Sequence, residues 1–122
     1  MKLNHANLGT REVARVAGLF TAHFGFERLD APPRPNFAVL RGSDGFILNL
    51  MRPGNAAVRY PDGFHVGFLV ETPAVVRAKH AELVAGGWTP GPVEDLTRGG
   101  YASTTFYCPL PDGLLVEVSS PR

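Results

Sequence analysis

Short β-rich runs, interrupted twice by stretches whose apolar residues fall three and four apart, set the pattern of this chain. Leu3 to Leu8 reads as a strand. Arg11 to Phe24 places Val13, Val16, Ala17, Phe20 and Phe24 on one helical face and stops at Gly25. Phe26 to Leu29, Phe37 to Arg41 and Phe46 to Met51 are three further strands, separated by the proline-rich Ala31 to Pro35 and by the turn Gly42-Ser43-Asp44-Gly45. The same order then returns as Phe64 to Glu71, a helix over Pro73 to Ala85, a short run at Trp88, Ala102 to Cys108 and Leu114 to Ser119. Pro73 suits the first turn of that helix.

The recurrence is visible in the residues themselves. Asp44-Gly45-Phe46-Ile47-Leu48-Asn49-Leu50 reappears 68 positions later as Asp112-Gly113-Leu114-Leu115-Val116-Glu117-Val118. Asn4 to Leu8 pairs with Phe64 to Phe68 at an offset of 60, and His23 to Phe26 with Ala85 to Trp88 at 62. An offset that grows along the chain implies two copies of one unit, the second lengthened in the loop Gly91 to Gly100. The expected fold is α+β, two βαβββ modules over residues 1–52 and 63–122 with a linker at 53–62, together a single domain.

Side chains alternate in direction along a strand, so parity tells which face each polar residue shares. Phe64, Val66, Phe68 and Val70 form one apolar face for a helix to cover, and His65, Gly67 and Leu69 point the other way. The same split sets His5 and Asn7 against Ala6 and Leu8, Asn49 against Leu48 and Leu50, and Glu117 against Val116 and Val118. On a sheet curled so that this face is concave, His5, Asn49, His65 and Glu117 converge in a cavity lined by Ile47, Met51, Leu69 and Leu115. Two imidazoles and one carboxylate suit a divalent transition metal and leave open positions for water or substrate, with Asn49 as a weak fourth oxygen. The alternative is two half-buried histidines bonded to backbone carbonyls and a Glu117 that faces solvent.

Composition narrows the partners. With 122 residues, 44% apolar and eight Phe, the chain can bury a core but has no room for a separate cofactor-binding domain. Twelve Lys and Arg against eleven Asp and Glu give a net charge of +1 without long runs of either sign, so no nucleic acid is expected. The longest uncharged apolar stretches, Phe64 to Val70 and Phe46 to Met51, fall far short of the roughly 20 residues that span a bilayer, so no membrane is expected either. One cysteine, Cys108, and the absence of a signal-like apolar stretch after Met1 set the expectation of a cytoplasmic protein. Cys108 shares the parity of Phe106 and reads as a small buried hydrophobe, and His23 and His80 read as solvated helix residues. The loop from Pro90 to Gly100, with Glu94, Asp95 and Arg98 beside glycines, reads as a lid.

Leu3-Asn4-His5, the run Gly63 to Phe68 around His65, and Phe106 to Glu117 with Pro109-Leu110-Pro111-Asp112-Gly113 resemble motifs of the vicinal oxygen chelate superfamily. That superfamily includes glyoxalase I, bleomycin-resistance proteins, fosfomycin-inactivating thiol transferases, methylmalonyl-CoA epimerases and extradiol dioxygenases. The resemblance covers nearly the whole chain. It implies a curved, U-shaped mixed sheet with helices on the outer face, one divalent metal ion per site (Fe, Mn, Zn, Ni or Co), and a homodimer. His5, His65 and Glu117 match the metal-ligand positions. Asn49 stands where glyoxalase I has a Glu and Gly9 where it has an Arg, which sets the chain apart from glyoxalase I itself. Tyr107 precedes Glu117 by ten residues, as a Tyr does in extradiol dioxygenases.

The functional expectation is therefore a metal-dependent enzyme for a small-molecule substrate with vicinal oxygens, acting as lyase, isomerase, thiol transferase or ring-cleaving dioxygenase. Tyr107 is the expected proton donor or hydrogen-bond partner, or else a Tyr packed with its hydroxyl at the sheet edge. Asn7, Asn49 and Thr105 are candidates to orient substrate oxygens, and Arg41 to favour an anionic substrate at the cavity mouth. The alternative function is a metal-free, bleomycin-resistance-like protein that sequesters a toxin or antibiotic, with Trp88 and the Phe residues stacking on it.

Overall fold

Both helices form where the apolar spacing placed them. The computed structural model describes residues 1–54 and 57–122, so positions 55 and 56 of the expected linker lie outside the described residues. The chain divides into two units, Met1–Arg59 and Tyr60–Arg122. Unit 1 runs β1 (His5–Gly9), α1 (Val13–His23), β2 (Glu27–Arg28), β3 (Phe37–Arg41) and β4 (Ile47–Met51). Its mixed sheet has the order β1-β4-β3-β2, with β1 and β4 parallel and the other pairs antiparallel. Unit 2 repeats the plan as β5 (His65–Leu69), α2 (Pro73–Ala85), β6 (Glu94–Arg98), β7 (Tyr101–Pro109) and β8 (Leu115–Pro121), in the order β5-β8-β7-β6 with β5 and β8 parallel. The fold is α+β, two βαβββ modules.

In unit 1 the period-two pattern decides the packing. Leu8, Ala38, Leu40, Leu48 and Leu50 are buried on one sheet face, and α1 buries Val13, Val16, Ala17, Leu19 and Phe20. Full burial of a Leu, Val or Phe side chain is worth about 1.5–3 kcal/mol relative to exposure. Phe20 meets Phe26 edge-on with centroids 5.4 Å apart, which seals the chain end of α1 against the start of β2.

In unit 2, α2 is capped by Thr72, whose side chain accepts from the Val75 N–H, with Pro73 in the first turn. Its inward face reads Val76, His80, Leu83, a four-then-three spacing with His80 half-buried, so His80 is a packing residue and not the solvated one expected. The His80 ring stands edge-on to Phe106, centroids 5.2 Å apart, and Nε2 donates to the Gly91 carbonyl at 2.9 Å. Gly91 in turn donates its N–H to Tyr107 O.

Two expectations for this unit are corrected. The short run at Trp88 is not a strand: the Trp88 N–H donates to Leu83 O and closes α2. The strand lies later, at Glu94–Arg98, inside the segment expected to be a lid, and pairs antiparallel with β7 from Glu94↔Thr105 to Arg98↔Tyr101. Gly99 and Gly100, at φ 57° and 80°, supply the two left-handed residues that a two-residue hairpin turn requires.

The repeat extends to single backbone hydrogen bonds. Thr10 N–H to Met51 O (3.0 Å) corresponds to Val70 N–H to Ser119 O (2.8 Å), and Gly42 N–H to Phe46 O (2.9 Å) to Leu110 N–H to Leu114 O (2.8 Å). No helix among the described residues is long and apolar enough to cross a membrane.

The proline-rich segment of unit 1 is fastened by one ion pair. Arg28 donates from Nε and Nη2 to Asp30 at 2.9 and 3.0 Å and from Nη2 to the carbonyls of Arg34 and Phe37, and Asp30 also accepts from the Val39 N–H. The hydrogen bonds from Arg28 outweigh the cost of burial and hold the Asp30 carboxyl well below the usual carboxylate range. A depressed folded-state pKa means stability present above the ordinary value of about 4 and lost as pH falls towards the folded value. Asp30→Ala is therefore expected to destabilise the protein by about 2 kcal/mol at pH 7. Urea unfolding of wild type and variant should show the difference shrinking as pH is lowered below about 4.

Candidate functional site

The sheet face of unit 2 opposite its buried core brings three of the candidate residues, His65, Tyr107 and Glu117, side by side. Parallel pairing sets His65 against Leu115 and Gly67 against Glu117, so His65 and Glu117 lie one same-face step apart on neighbouring strands. His65 Nε2 lies 3.1 Å from Glu117 Oε2. The other ring nitrogen, Nδ1, is 2.8 Å from the Gly63 carbonyl, which only accepts, so Nδ1 carries a proton and a neutral ring would have its lone pair on Nε2. Opposite Glu117, Gly67 has no side chain, and a Cβ built there would only touch Glu117 Cβ at 3.5 Å. The acid is left uncovered on that side.

Antiparallel pairing sets Tyr107 directly across from Glu117. Its ring meets His65 edge-on at 5.6 Å, and its hydroxyl accepts from Arg98 Nη1 at 3.0 Å. Burial pushes the phenol above its ordinary pKa; Arg98 opposes this, and the Glu117 carboxylate adds to it. Arg98, Tyr107, Glu117 and His65 thus form one continuous polar row.

In unit 1 the counterpart face holds His5, Asn7 and Asn49. His5 Nδ1 donates to Asn4 Oδ1 at 2.7 Å, so its Nε2 also keeps the lone pair. Asn7 and Asn49 are register partners, and Asn49 Nδ2 donates to Asn7 Oδ1 at 2.7 Å. Arg41 pairs across the hairpin with Glu27, both side chains about half exposed. Thr105, on the face of Tyr107, is buried, and its hydroxyl is shared with Ser119 at 2.7 Å and Ser103 at 3.1 Å.

Two lone-pair atoms do not rest 3.1 Å apart unless a positive centre serves both, either a proton making His65 an imidazolium or a cation. Two atoms each about 2.1 Å from one ion are separated by about 3.0 Å at octahedral and about 3.4 Å at tetrahedral angles, so the His65–Glu117 spacing fits a shared divalent metal. Gly63 gives the ring the fixed tautomer and orientation that metal-ligating histidines have. Among the described residues no group of three or more His, Cys, Asp or Glu converges on one point. The structure brings His65 to Glu117 within unit 2 and presents His5 on unit 1.

A family model described as Glyoxalase/Bleomycin resistance protein/Dioxygenase superfamily matches residues 2–118. The chain belongs to this superfamily. Among solved structures, a possible glyoxalase from Bacillus cereus is 31% identical over 97% of each chain, with a TM-score of 0.78. A glyoxalase/bleomycin resistance protein/dioxygenase from Nocardioides (20% identity, 99% of this chain and 83% of that one, TM-score 0.77) shares the fold. So does a lactoylglutathione lyase from Agrobacterium tumefaciens (17% identity, 98% and 92% coverage, TM-score 0.73). The search of curated proteins gives no match.

Sequence reasoning missed one residue of the row in this superfamily member, Arg98, because it was assigned to a lid. Its place on the open face follows only from the β6–β7 register, Glu94↔Thr105 to Arg98↔Tyr101. Cys108 is buried as expected, and burial pushes its thiol up to about 11. Since the thiolate is the reactive form, native protein at pH 8 should react with a thiol reagent far more slowly than urea-unfolded protein, a difference read directly by mass spectrometry.

Proposed function

We propose that this superfamily member is a divalent-metal-dependent enzyme for a small molecule with two neighbouring oxygens, with His5, His65 and Glu117 holding one Fe, Mn, Zn, Ni or Co ion per site. The observation that carries the reading is the 3.1 Å approach of His65 Nε2 to Glu117 Oε2, with Nδ1 already committed to Gly63. Held by these residues, such an ion supplies Lewis acidity to the substrate oxygens, worth several kcal/mol where charge develops. Oxygen-sensitive Fe(II) would direct the reading to ring cleavage, and Zn, Mn, Co or Ni to lyase, isomerase or thiol-transfer chemistry.

The residues around the pair have separable tasks. The Gly63 carbonyl and Asn4 orient the two imidazoles so that each presents Nε2. The raised phenol of Tyr107 stays protonated at neutral pH and donates to a substrate oxygen or delivers its proton there. The joined amides of Asn7 and Asn49 offer a donor and an acceptor for the substrate. Thr105 is tied to Ser119 and Ser103 and supports the strand that carries Tyr107, and the ion pair with Glu27 takes up the charge with which Arg41 would favour an anion. We propose a homodimer as the working form, to be seen in sedimentation as a particle of twice 13.1 kDa.

The test is metal content by elemental analysis of untagged protein purified anaerobically and in air, beside Glu117→Ala, His65→Gln and His5→Gln. Wild type should carry stoichiometric metal that each variant loses. Tyr107→Phe should keep the metal and lower kcat by roughly 100-fold on whichever substrate is turned over. Wild type as empty as the variants after incubation with Fe, Mn, Co, Ni and Zn salts would replace this reading with metal-free sequestration.

A further inference from the structure

Beyond the metal pair, the open face of unit 2 carries two more charged side chains among the described residues, Glu94 and Arg98 at opposite ends of β6. Arg98 closes the strand at the Gly99-Gly100 turn and gives one N–H to the Tyr107 hydroxyl at 3.0 Å. A guanidinium has five N–H donors in a fixed planar fork. Other arginines of the protein spend their charge on carboxylates: Arg28 on Asp30, Arg41 on Glu27, and Arg77 and Arg122 on Asp95. Among the described residues Arg98 has no ion pair. Its partner is a neutral phenol, which positions the fork without cancelling its charge.

We propose that Arg98 is an oxyanion subsite, binding a carboxylate or phosphate group of the substrate on the side of Tyr107 away from Glu117. The inference rests on the reading of this face as a substrate site and narrows the substrate class to a small molecule with neighbouring oxygens at one end and an oxyanion at the other. The fork geometry matches the two oxygens of either group. Anchoring by Tyr107 reduces the rotamer freedom that Arg98 would lose on binding. The same contact makes the arrangement directional: a ligand bridging Arg98 and the metal pair passes over the Tyr107 hydroxyl.

Full-length protein, stripped of metal with EDTA and separately reloaded with zinc, would be titrated with inorganic phosphate and with acetate. Arg98 Nε–Hε and Tyr107 ring signals would be followed by NMR. Saturable shifts at both residues are expected with at least one anion, and the anion that responds identifies the group. Arg98→Gln should weaken that binding roughly 10- to 100-fold, Arg98→Lys should recover part of it, and both should bind zinc like wild type. Anion binding undiminished in Arg98→Gln, or no saturable response at Arg98 with either anion, would overturn the inference. Zinc titration of the same samples separates the two readings: a chain that binds the anion at Arg98 but no metal retains this subsite and loses the metal centre, and a chain that binds zinc but neither anion does the reverse.

Discussion

Parallel pairing of the first and last strands of each unit, β1 with β4 and β5 with β8, is the constraint on which the rest of the structure depends. Parallel neighbours need a crossover, and a helix followed by two antiparallel returns provides it. The helix covers one sheet face, so alternate residues divide between a dry side and an open one. In unit 2 that division sends Val116, Val118, Phe106 and Cys108 inward and leaves His65, Glu117 and Tyr107 outward. A slip of one residue in the β5–β8 register would carry His65 to the apolar side and break its contact with Glu117, so the buried valines enforce the geometry of the polar pair.

The two units share a backbone and differ in what they put on it. His5 corresponds to His65, Asn7 to Gly67 and Asn49 to Glu117. In unit 1 the residue beside the variable position is an asparagine, and the two amides bind each other. In unit 2 the corresponding residue is glycine, and the carboxylate turns to the histidine instead. Two positions, Asn7 against Gly67 and Asn49 against Glu117, separate a self-satisfied amide pair from a carboxylate beside a histidine.

Much of this was legible in the residues. The βαβββ order, both helices and the shared open face of His65 and Glu117 follow from periodicities of two and of three-to-four, since burial against a single layer imposes them. β6 was not legible because Glu94-Asp95-Leu96-Thr97-Arg98 has no apolar face; backbone pairing with β7 and the hydrogen bond from the Thr104 hydroxyl to Asp95 make it a strand. His80 was misread because a polar residue type hid its place in the Val76–Leu83 stripe. The partner of Arg98 was beyond sequence reasoning altogether, since it depends on how the β6–β7 hairpin carries the end of one strand to Tyr107.

The polarity that concealed β6 has its own consequence. As the outermost strand of its sheet, β6 exposes a row of backbone donors and acceptors that another chain could template upon. Glu94, Asp95 and Arg98 make a matching strand bury charges of both signs, and Asp95 engages Arg77 and Arg122 as well. The margin of the sheet is therefore guarded against runaway edge-to-edge assembly by charges on both of its faces, one of which, Arg98, also reaches Tyr107.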